Sequence, residues 1–304
     1  MLAWLLKLVA KIAAAVPWRW ARAWACQWGR FIACVLRPRR RYVLKTLARC
    51  LPELSERERR RLYVDMWCHQ ALNIMEIMRF VGGREQELQS QIEIRGEEHL
   101  EEARAQGKGV LVLVAHLGNY ILMALTAVRI FRYPLAAIAK QLRNPSMEHL
   151  WQEVRRRGGV IAIPARNGYR ASVRVLRNNG LLGFMLDQNR PEGKGIFVDF
   201  FGQTASTSPG LAFMSAQTGA PVLPAFIHRT PEGRHIVEIQ PWIAPPPDRK
   251  PESLLEYTAI YTRITEAAIR RHPAQWLWLH KRWKTRPPEE DASATPSAPS
   301  GSPV

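Results

Sequence analysis

The feature of this sequence that most constrains its fold is an uninterrupted apolar run over residues 109–115 (GVLVLVA). Such a run is typical of a strand that is covered on both faces of a sheet. Strand and helix patterns alternate around it, which predicts an α/β fold with a mainly parallel central sheet flanked by helices. The predicted strands are 92–96, 109–115, 134–139, 159–163 and 181–186, and the predicted helices are 97–106, 119–131, 146–157, 168–178 and 251–271.

The first fifth of the chain carries most of its excess charge. The net charge is +18 at pH 7, and residues 1–61 hold 15 Lys and Arg against three Glu. Trp and aliphatic residues fill the spaces between these charges, which interrupt every stretch long enough to span a bilayer. The segment also differs from a cleaved signal peptide, whose positive charges would precede the apolar stretch instead of being spread through it. We therefore predict that residues 1–36 form an amphipathic helical segment anchored in the headgroup layer of a membrane.

An arginine-rich helix on nucleic acid is the alternative for this segment. The sequence contains no helix-turn-helix, zinc-finger or aromatic RNA-binding signature to support it. We therefore expect membrane lipids, and no nucleic acid, among the partners. The four Cys residues lack metal-site spacing and disulfide-framework density, which indicates free thiols in a reducing compartment.

The rest of the chain divides into a folded domain over 37–286 and a Pro-, Ser- and Ala-rich tail over 287–304 that is predicted to be disordered. Within the domain, Ser55 and Glu58 have the spacing of a capping box at the start of a long helix. Glu76 lies in the apolar face of that helix. It therefore either faces the surface or has a buried partner.

Two side chains directly after predicted strands are candidates for chemistry. His116 directly follows the 109–115 run. It therefore lies at the carboxyl end of a strand, where the active sites of parallel sheets are usually found. Because the pKa of an ordinary histidine lies near neutral pH, His116 could act as a general base. The alternative is that His116 has a purely structural role. Asp187 directly follows the predicted strand 181–186, and Gln188 and Asn189 come next. Its alternative role is to cap a turn.

Basic residues form a third group of candidates. Planar guanidinium groups bind phosphate and carboxylate in a bidentate manner. We predict that arginines of this group bind anionic groups of a substrate, with a solvated helix face as the alternative for the run 155–157. The group comprises Arg143, Arg155, Arg156, Arg157, Arg166 and Arg170. The basic, Trp-rich strip 276–286 (WLWLHKRWKTR) is expected to pack near the cleft or the bilayer.

Five short motifs occur in the order found in the late acyltransferases of lipid A biosynthesis, and the chain resembles this family over about residues 1–288. These proteins are bacterial lauroyl/myristoyl transferases of the lysophospholipid acyltransferase superfamily. The motifs are HLGNY at 116–120, DQN at 187–189, VDFFG at 198–202, TGAPVLP at 218–224 and WLHKRWKTRP at 278–287.

The resemblance implies that the 37–286 domain is an acyltransferase. The donor would be a thioester of acyl carrier protein, and the acceptor a hydroxyl of a glucosamine-disaccharide lipid A precursor. The reaction would take place at the cytoplasmic face of the bacterial inner membrane, and we expect no metal and no cofactor beyond the carrier thioester. Chain length, acceptor position and oligomeric state are left open by the sequence.

The resemblance also assigns roles to single residues. His116 would deprotonate the acceptor hydroxyl, and Gly118 and Asn119 would shape the site of the developing oxyanion. Arg156 would hold the anionic headgroup or the thioester region. Asn189, in the DQN motif, is counted among the substrate-binding residues.

One position departs from the family pattern. The family has an acid five residues after the catalytic histidine, where this chain has Ile121. An isoleucine can neither accept the imidazole N–H nor stabilise an imidazolium. Asp187 could replace the acid, His116 could act through a carbonyl or water, or the chain could be a catalytically impaired lipid-binding homologue. A different lipid acceptor, such as a glycerophospholipid or glycolipid, is a further possibility.

Overall fold

The computed structural model describes residues 2–287, except 132, 134, 140, 143, 165 and 166. Its first elements are helical, and α4 is the element on which the others pack. The predicted capping box is confirmed, because Ser55 Oγ accepts from Glu58 N and Ser55 N donates to the Glu58 carboxylate. These elements are α1 (Leu2–Ala15), α2 (Trp18–Phe31), a π-helical turn (Ile32–Leu36), α3 (Arg40–Cys50) and α4 (Glu56–Val81).

Strands in the described residues form a seven-stranded central sheet, in the order β1-β9-β8-β2-β5-β3-β4, and a separate β6-β7 hairpin. Neighbours in the central sheet are parallel except β8 and β9. The predicted mainly parallel sheet is therefore confirmed. The strands are β1 (Ile92–Arg95), β2 (Val110–Val114), β3 (Leu135–Ala139), β4 (Val160–Pro164), β5 (Leu181–Met185), β6 (Ile196–Asp199), β7 (Thr204–Thr207), β8 (Val222–Arg229) and β9 (His235–Ile239).

Helices cover both faces of this sheet. On one face, Leu111 and Leu113 of β2 pack in a core that includes aromatic side chains from the C-terminal strip. On the other face, Val110, Val112 and Val114 pack against the second core. All five side chains are buried, as the apolar run predicts. The helices are α5 (Glu85–Ser90), α6 (Glu97–Ala105), α7 (Tyr120–Phe131), α8 (Pro145–Gly158), α9 (Tyr169–Arg177), α10 (Gly210–Thr218), α11 (Pro251–Arg271) and a 3-10 turn (Pro273–Gln275).

The ten strands and helices predicted from periodicity are all present, with ends that differ by at most one residue from those predicted. Local pattern decides these elements because each must present an apolar stripe or face to the same sheet. The order of the strands is set by long-range packing, and the sequence pattern did not predict it.

Helix α2 has two chemically distinct faces. Ala21, Ala25 and Gly29 are buried on one face, and a Cβ at Gly29 would lie 2.5 Å from the Cα of Cys68 in α4. The small residues therefore allow α2 to lie close to α4. An adjoining face exposes Trp20, Trp24, Trp28 and Phe31.

Helices α1 and α2 also contact the domain through polar groups. Arg79 of α4 donates to the carbonyls of Ala13 and Val16 at 2.7 Å each. None of the helices in the described part of the chain combines the length and apolar character that a bilayer crossing requires. The domain boundary at residue 36 and membrane anchoring stay predictions. Of the predicted tail, 288–304 lie outside the described residues.

Candidate active site

The carboxyl ends of β2 and β5 bring two of the predicted site residues together. The two strands are parallel neighbours, and Val114 lies opposite Met185. His116 and Asp187 each follow two residues later, so they leave the sheet side by side. The strand order therefore accounts for their proximity although 71 positions separate them.

Asp187 holds His116 through two contacts. Its Oδ1 lies 2.9 Å from the ring Nδ1, and its Oδ2 accepts from the His116 backbone N–H at 2.9 Å. A third donor, Trp276 Nε1, lies 2.8 Å from Oδ2. The Asp187 side chain is 1% exposed and that of His116 is 15% exposed. Three donors thus fix the orientation of a buried carboxylate, which in turn fixes the imidazole.

His116 and Asp187 each shift the pKa of the other towards its charged form. Burial lowers the pKa of His116, but the adjacent Asp187 charge and its hydrogen bond outweigh burial and raise that pKa above its usual value. Burial raises the pKa of Asp187, but His116 and the Trp276 hydrogen bond leave it below its usual value. Asp187 is therefore ionised at neutral pH and stabilises a proton on the imidazole.

The second ring nitrogen of His116 faces the recess at the strand ends. Gln188 Nε2 lies 3.1 Å from His116 Nε2. Because an ionised carboxylate only accepts, Nδ1 carries the proton in its contact with Asp187, and in the neutral ring Nε2 has the lone pair that faces Gln188. Tyr120 lies edge-on to the ring, with centroids 4.8 Å apart. Trp276, Leu277 and His280 complete the walls of the recess with His116, Asp187 and Gln188.

The C-terminal strip is held over the site by Asn189. The Asn189 backbone N–H donates to His280 Nε2 at 2.8 Å. Its side-chain amide donates to Thr285 Oγ1 and its Oδ1 accepts from the Thr285 N–H. The expectation that the strip 276–286 packs near the cleft is confirmed by these contacts and by that of Trp276.

The chain is similar to known proteins along almost its whole sequence. A sequence model described as bacterial lipid A biosynthesis acyltransferase matches residues 1–285. The chain belongs to this family. It is therefore an acyltransferase.

Two relatives of the family are enzymes of Escherichia coli strain K12. The chain is 25% identical to the lipid A biosynthesis lauroyltransferase over 269 residues, which cover 86% of this chain and 84% of that protein. It is 30% identical to the lipid A biosynthesis myristoyltransferase over 272 residues, covering 86% and 80%. Among solved structures, the 1-acyl-sn-glycerophosphate acyltransferase of Thermotoga maritima matches with a TM-score of 0.39 and 18% identity, covering 85% of this chain and 99% of that one.

Asn119 and Gly118 direct polar groups into the protein interior. Asn119 is buried, and its amide donates to Glu76 Oε2 at 2.7 Å while its Oδ1 accepts from Leu122 N at the start of α7. The N–H of Gly118 donates to the carbonyl of Gln275 at 3.1 Å. The Asn119 amide and the Gly118 N–H are thus bound within the protein, and a role of these two residues at an oxyanion site stays a prediction.

The predicted arginines do not join the pair either. Arg156 is exposed on α8, and the residues that line the recess at His116 include no arginine among those the structure describes. Arg143 and Arg166 lie outside the described residues, so their roles stay predictions. Asn189 contributes by holding the strip 276–286, and a role in binding substrate stays a prediction.

Other groups at the site were not assigned from the sequence. Trp276 donates to Asp187 from 89 positions away, and nothing in a local pattern connects them. Gln188 is adjacent to Asp187 in the DQN motif, so its position in the sequence could have identified it as a residue of the site. Glu76 has a buried partner rather than a place on the surface, since its carboxylate binds Arg229.

Proposed function

We propose that this acyltransferase transfers an acyl chain from an acyl-carrier-protein thioester to a hydroxyl of a lipid A precursor, with His116 as the general base. The observation that carries the proposal is the 2.9 Å contact of His116 Nδ1 with buried Asp187, which leaves Nε2 directed at the recess. Asp187 thus does for the imidazole what the family acid does five residues after its histidine.

The reaction follows from this geometry. The acceptor hydroxyl gives its proton to His116 Nε2 as its oxygen attacks the thioester carbonyl carbon. Collapse of the tetrahedral intermediate breaks the C–S bond, and His116 returns the proton to the departing thiolate. Asp187 stays ionised throughout and stabilises the imidazolium that forms between these steps.

Gln188 occupies the position that the acceptor must take. Its amide nitrogen lies 3.1 Å from His116 Nε2, which is the distance of a hydroxyl about to donate its proton. Gln188 is exposed, so its side chain is free to rotate as the acceptor enters. In the proposed reaction, the Gln188 amide gives up its place beside His116 Nε2 to the substrate hydroxyl.

Ile121 does not prevent this chemistry. Its side chain packs on the second core with other residues of α7. The acid is supplied instead from the adjacent strand end by Asp187. This arrangement argues against a chain that binds lipid without catalysis, because a lost activity would not require a buried carboxylate held by three donors.

The acceptor is an amphiphile, so the enzyme must work at a membrane surface. Trp20, Trp24 and Trp28 project from one face of α2 and are 53%, 59% and 58% exposed. Arg19 lies 5.5 Å from the centroid of the Trp20 ring, and it and other exposed cations of 1–36, such as Lys11, suit anionic headgroups. We place the enzyme at the cytoplasmic face of the bacterial inner membrane, where an acidic carrier protein would also be attracted by the net charge of +18.

Removing the exposed tryptophans is expected to weaken binding to lipid. The variant Trp20→Ser/Trp24→Ser/Trp28→Ser should partition onto phosphatidylglycerol vesicles at least about tenfold less well, because interfacial binding scales with the apolar area that enters the bilayer. Sedimentation of the protein with vesicles measures this. Tyr169→Ser, which removes an exposed aromatic on α9, is the matched control. Equal partitioning of the triple variant and wild type would contradict the anchoring of 1–36.

Supplying an acyl-carrier-protein thioester and a lipid A precursor in mixed micelles tests the proposed reaction. We expect the precursor to gain the mass of one acyl chain, and His116→Ala to lower that rate about 10²–10⁴-fold, the usual contribution of a general base. A glycerophospholipid supplied in parallel controls for the acceptor. A mass gain on that lipid alone would contradict the proposed acceptor, and an unimpaired His116→Ala would contradict the proposed base.

A further inference from the structure

A buried carboxylate of α4 lies beside the loop that carries His116. Glu76 is fully buried. Its Oε2 accepts from Arg229 Nη2 at 2.6 Å and from Asn119 Nδ2 at 2.7 Å, and its Oε1 lies 2.9 Å from His235 Nε2. Glu76 thereby joins α4 to β8, to β9 and to the residues that follow His116.

The contacts within this cluster determine the protonation states of Glu76 and His69. Burial raises the pKa of Glu76, but the charge of Arg229 and the bond from His235 outweigh it, so that pKa lies below its usual value. Burial and Arg229 lower the pKa of His69 to about 3, so its neutral Nδ1 accepts from Arg229 Nη1 at 3.1 Å. Glu76 is therefore an ionised acceptor surrounded by three donors.

Arg229 extends the cluster to the backbone of Gly118. Asn73 Oδ1 accepts from Arg229 Nη2 at 3.0 Å, and Asn73 Nδ2 donates to the Gly118 carbonyl at 2.7 Å. The Gly118 N–H donates to the backbone carbonyl of Gln275, whose side chain accepts from Arg229 N and donates to Arg229 O. Both polar backbone groups of Gly118 are thus bound by groups that Arg229 holds.

We propose that Glu76 is a positioning residue for His116. Asp187 holds the imidazole from one side, and the cluster built on Glu76 and Arg229 holds the loop of Gly118 and Asn119 from the other. The proposal rests on the proposed function, since it concerns the same base. A displacement of about 1 Å in a reacting group costs about 10²-fold in rate, so such a fixed loop has a direct consequence for catalysis.

The isosteric variant Glu76→Gln separates charge from shape. The amide oxygen can still accept from Arg229 and Asn119 at the Oε2 position, and the NH2 then faces His235 Nε2, which accepts once its ring proton is on Nδ1. Arg229 loses the buried charge with which it is paired, so the cluster that holds the loop is weakened and we expect the loop to shift. We expect kcat to fall about 10–10²-fold, KM for both substrates to stay within about twofold, and the pH dependence of the rate to stay unchanged because the Asp187 contact persists.

A destabilised protein is distinguished from a mispositioned base by two controls. Met66→Ala removes a fully buried side chain from the same helix without touching the cluster, and its kcat per folded molecule should equal that of wild type. In a His116→Ala background, Glu76→Gln should lower the residual rate no further, because Glu76 acts through His116. A merely structural role would lower the rate in both backgrounds.

Asn73→Ala provides the second variant if Glu76→Gln fails to fold. It removes the donor to the Gly118 carbonyl and leaves the Glu76–Arg229 pair intact, and its kcat should fall about tenfold with KM little changed. The proposal is overturned if the folded Glu76→Gln variant, or Asn73→Ala in its place, has a kcat within about twofold of wild type. The proposed function is tested separately, by acyl transfer that wild type performs and His116→Ala abolishes. A wild-type kcat in Glu76→Gln would therefore overturn the positioning role of Glu76 without overturning the proposed function.

Discussion

Substituting Asp187 by Asn is expected to lower kcat for acyl transfer about 10²–10⁴-fold. The carboxylate accepts from His116 Nδ1 and stabilises the imidazolium, and an amide carries no charge to do so. An Asn whose NH2 faces Nδ1 would also favour the wrong tautomer, with Nε2 protonated and unable to act as a base. Initial rates with the carrier thioester and the lipid A precursor measure the loss.

The pH dependence of the rate should change with the same substitution. A general base works when neutral, so the wild-type rate rises with pH through the His116 pKa, which Asp187 holds above the usual histidine value. Without the Asp187 charge, the burial of the ring remains and lowers that pKa. The acid limb of the rate profile should therefore move to lower pH in Asp187→Asn, while the plateau falls.

Asp248→Asn is the matched control for this experiment. The substitution makes the same chemical change in a surface bend, where Asp248 accepts from Lys250 N at 3.0 Å. The rate and pH profile of this variant should equal those of wild type. A wild-type plateau in Asp187→Asn would show that His116 works without this carboxylate, through a carbonyl or water, and that Asp187 does not take over the role of the family acid.

The proximity of His116 and Asp187 illustrates how far the sequence alone leads. Each residue follows an apolar strand pattern, which places both at the carboxyl edge of a parallel sheet. Their contact additionally requires β2 and β5 to be neighbours, although β3 and β4 lie between them in the chain. Strand order depends on how helices of the two faces pack, and this information is spread over the whole chain.

Asn119 shows a contact that the sequence does not predict. The resemblance made this residue a candidate for the oxyanion site, but an Asn at the start of a helix also favours capping. In the structure Asn119 Oδ1 accepts from Leu122 N, and its amide turns to Glu76. The capping signal was present in the sequence, whereas the buried acceptor, 43 positions away, was visible only once α4 lay against this loop.

Gly118→Ala is expected to be among the most damaging single substitutions in this enzyme. The residue has a φ of +56°, and a Cβ there would lie 2.2 Å from the Ile227 carbonyl oxygen of β8. The left-handed backbone costs about 1–2 kcal/mol for a residue with a side chain, and overpacking adds about 1–3 kcal/mol. Since β8 lies within the central sheet, the loop rather than the strand must move, which carries His116 away from Asp187 and lowers kcat as well.

Gly107→Ala separates the two contributions. Gly107 has a similar φ of +66°, but a Cβ there meets nothing within 4 Å, so only the backbone cost of about 1–2 kcal/mol applies. Denaturant unfolding of both variants, with kcat measured on the folded protein, makes the comparison. We expect Gly107→Ala to keep the wild-type kcat. Equal destabilisation and equal activity of the two variants would mean that the contact with Ile227 relaxes freely, and that the loop after His116 is not held by the sheet beneath it.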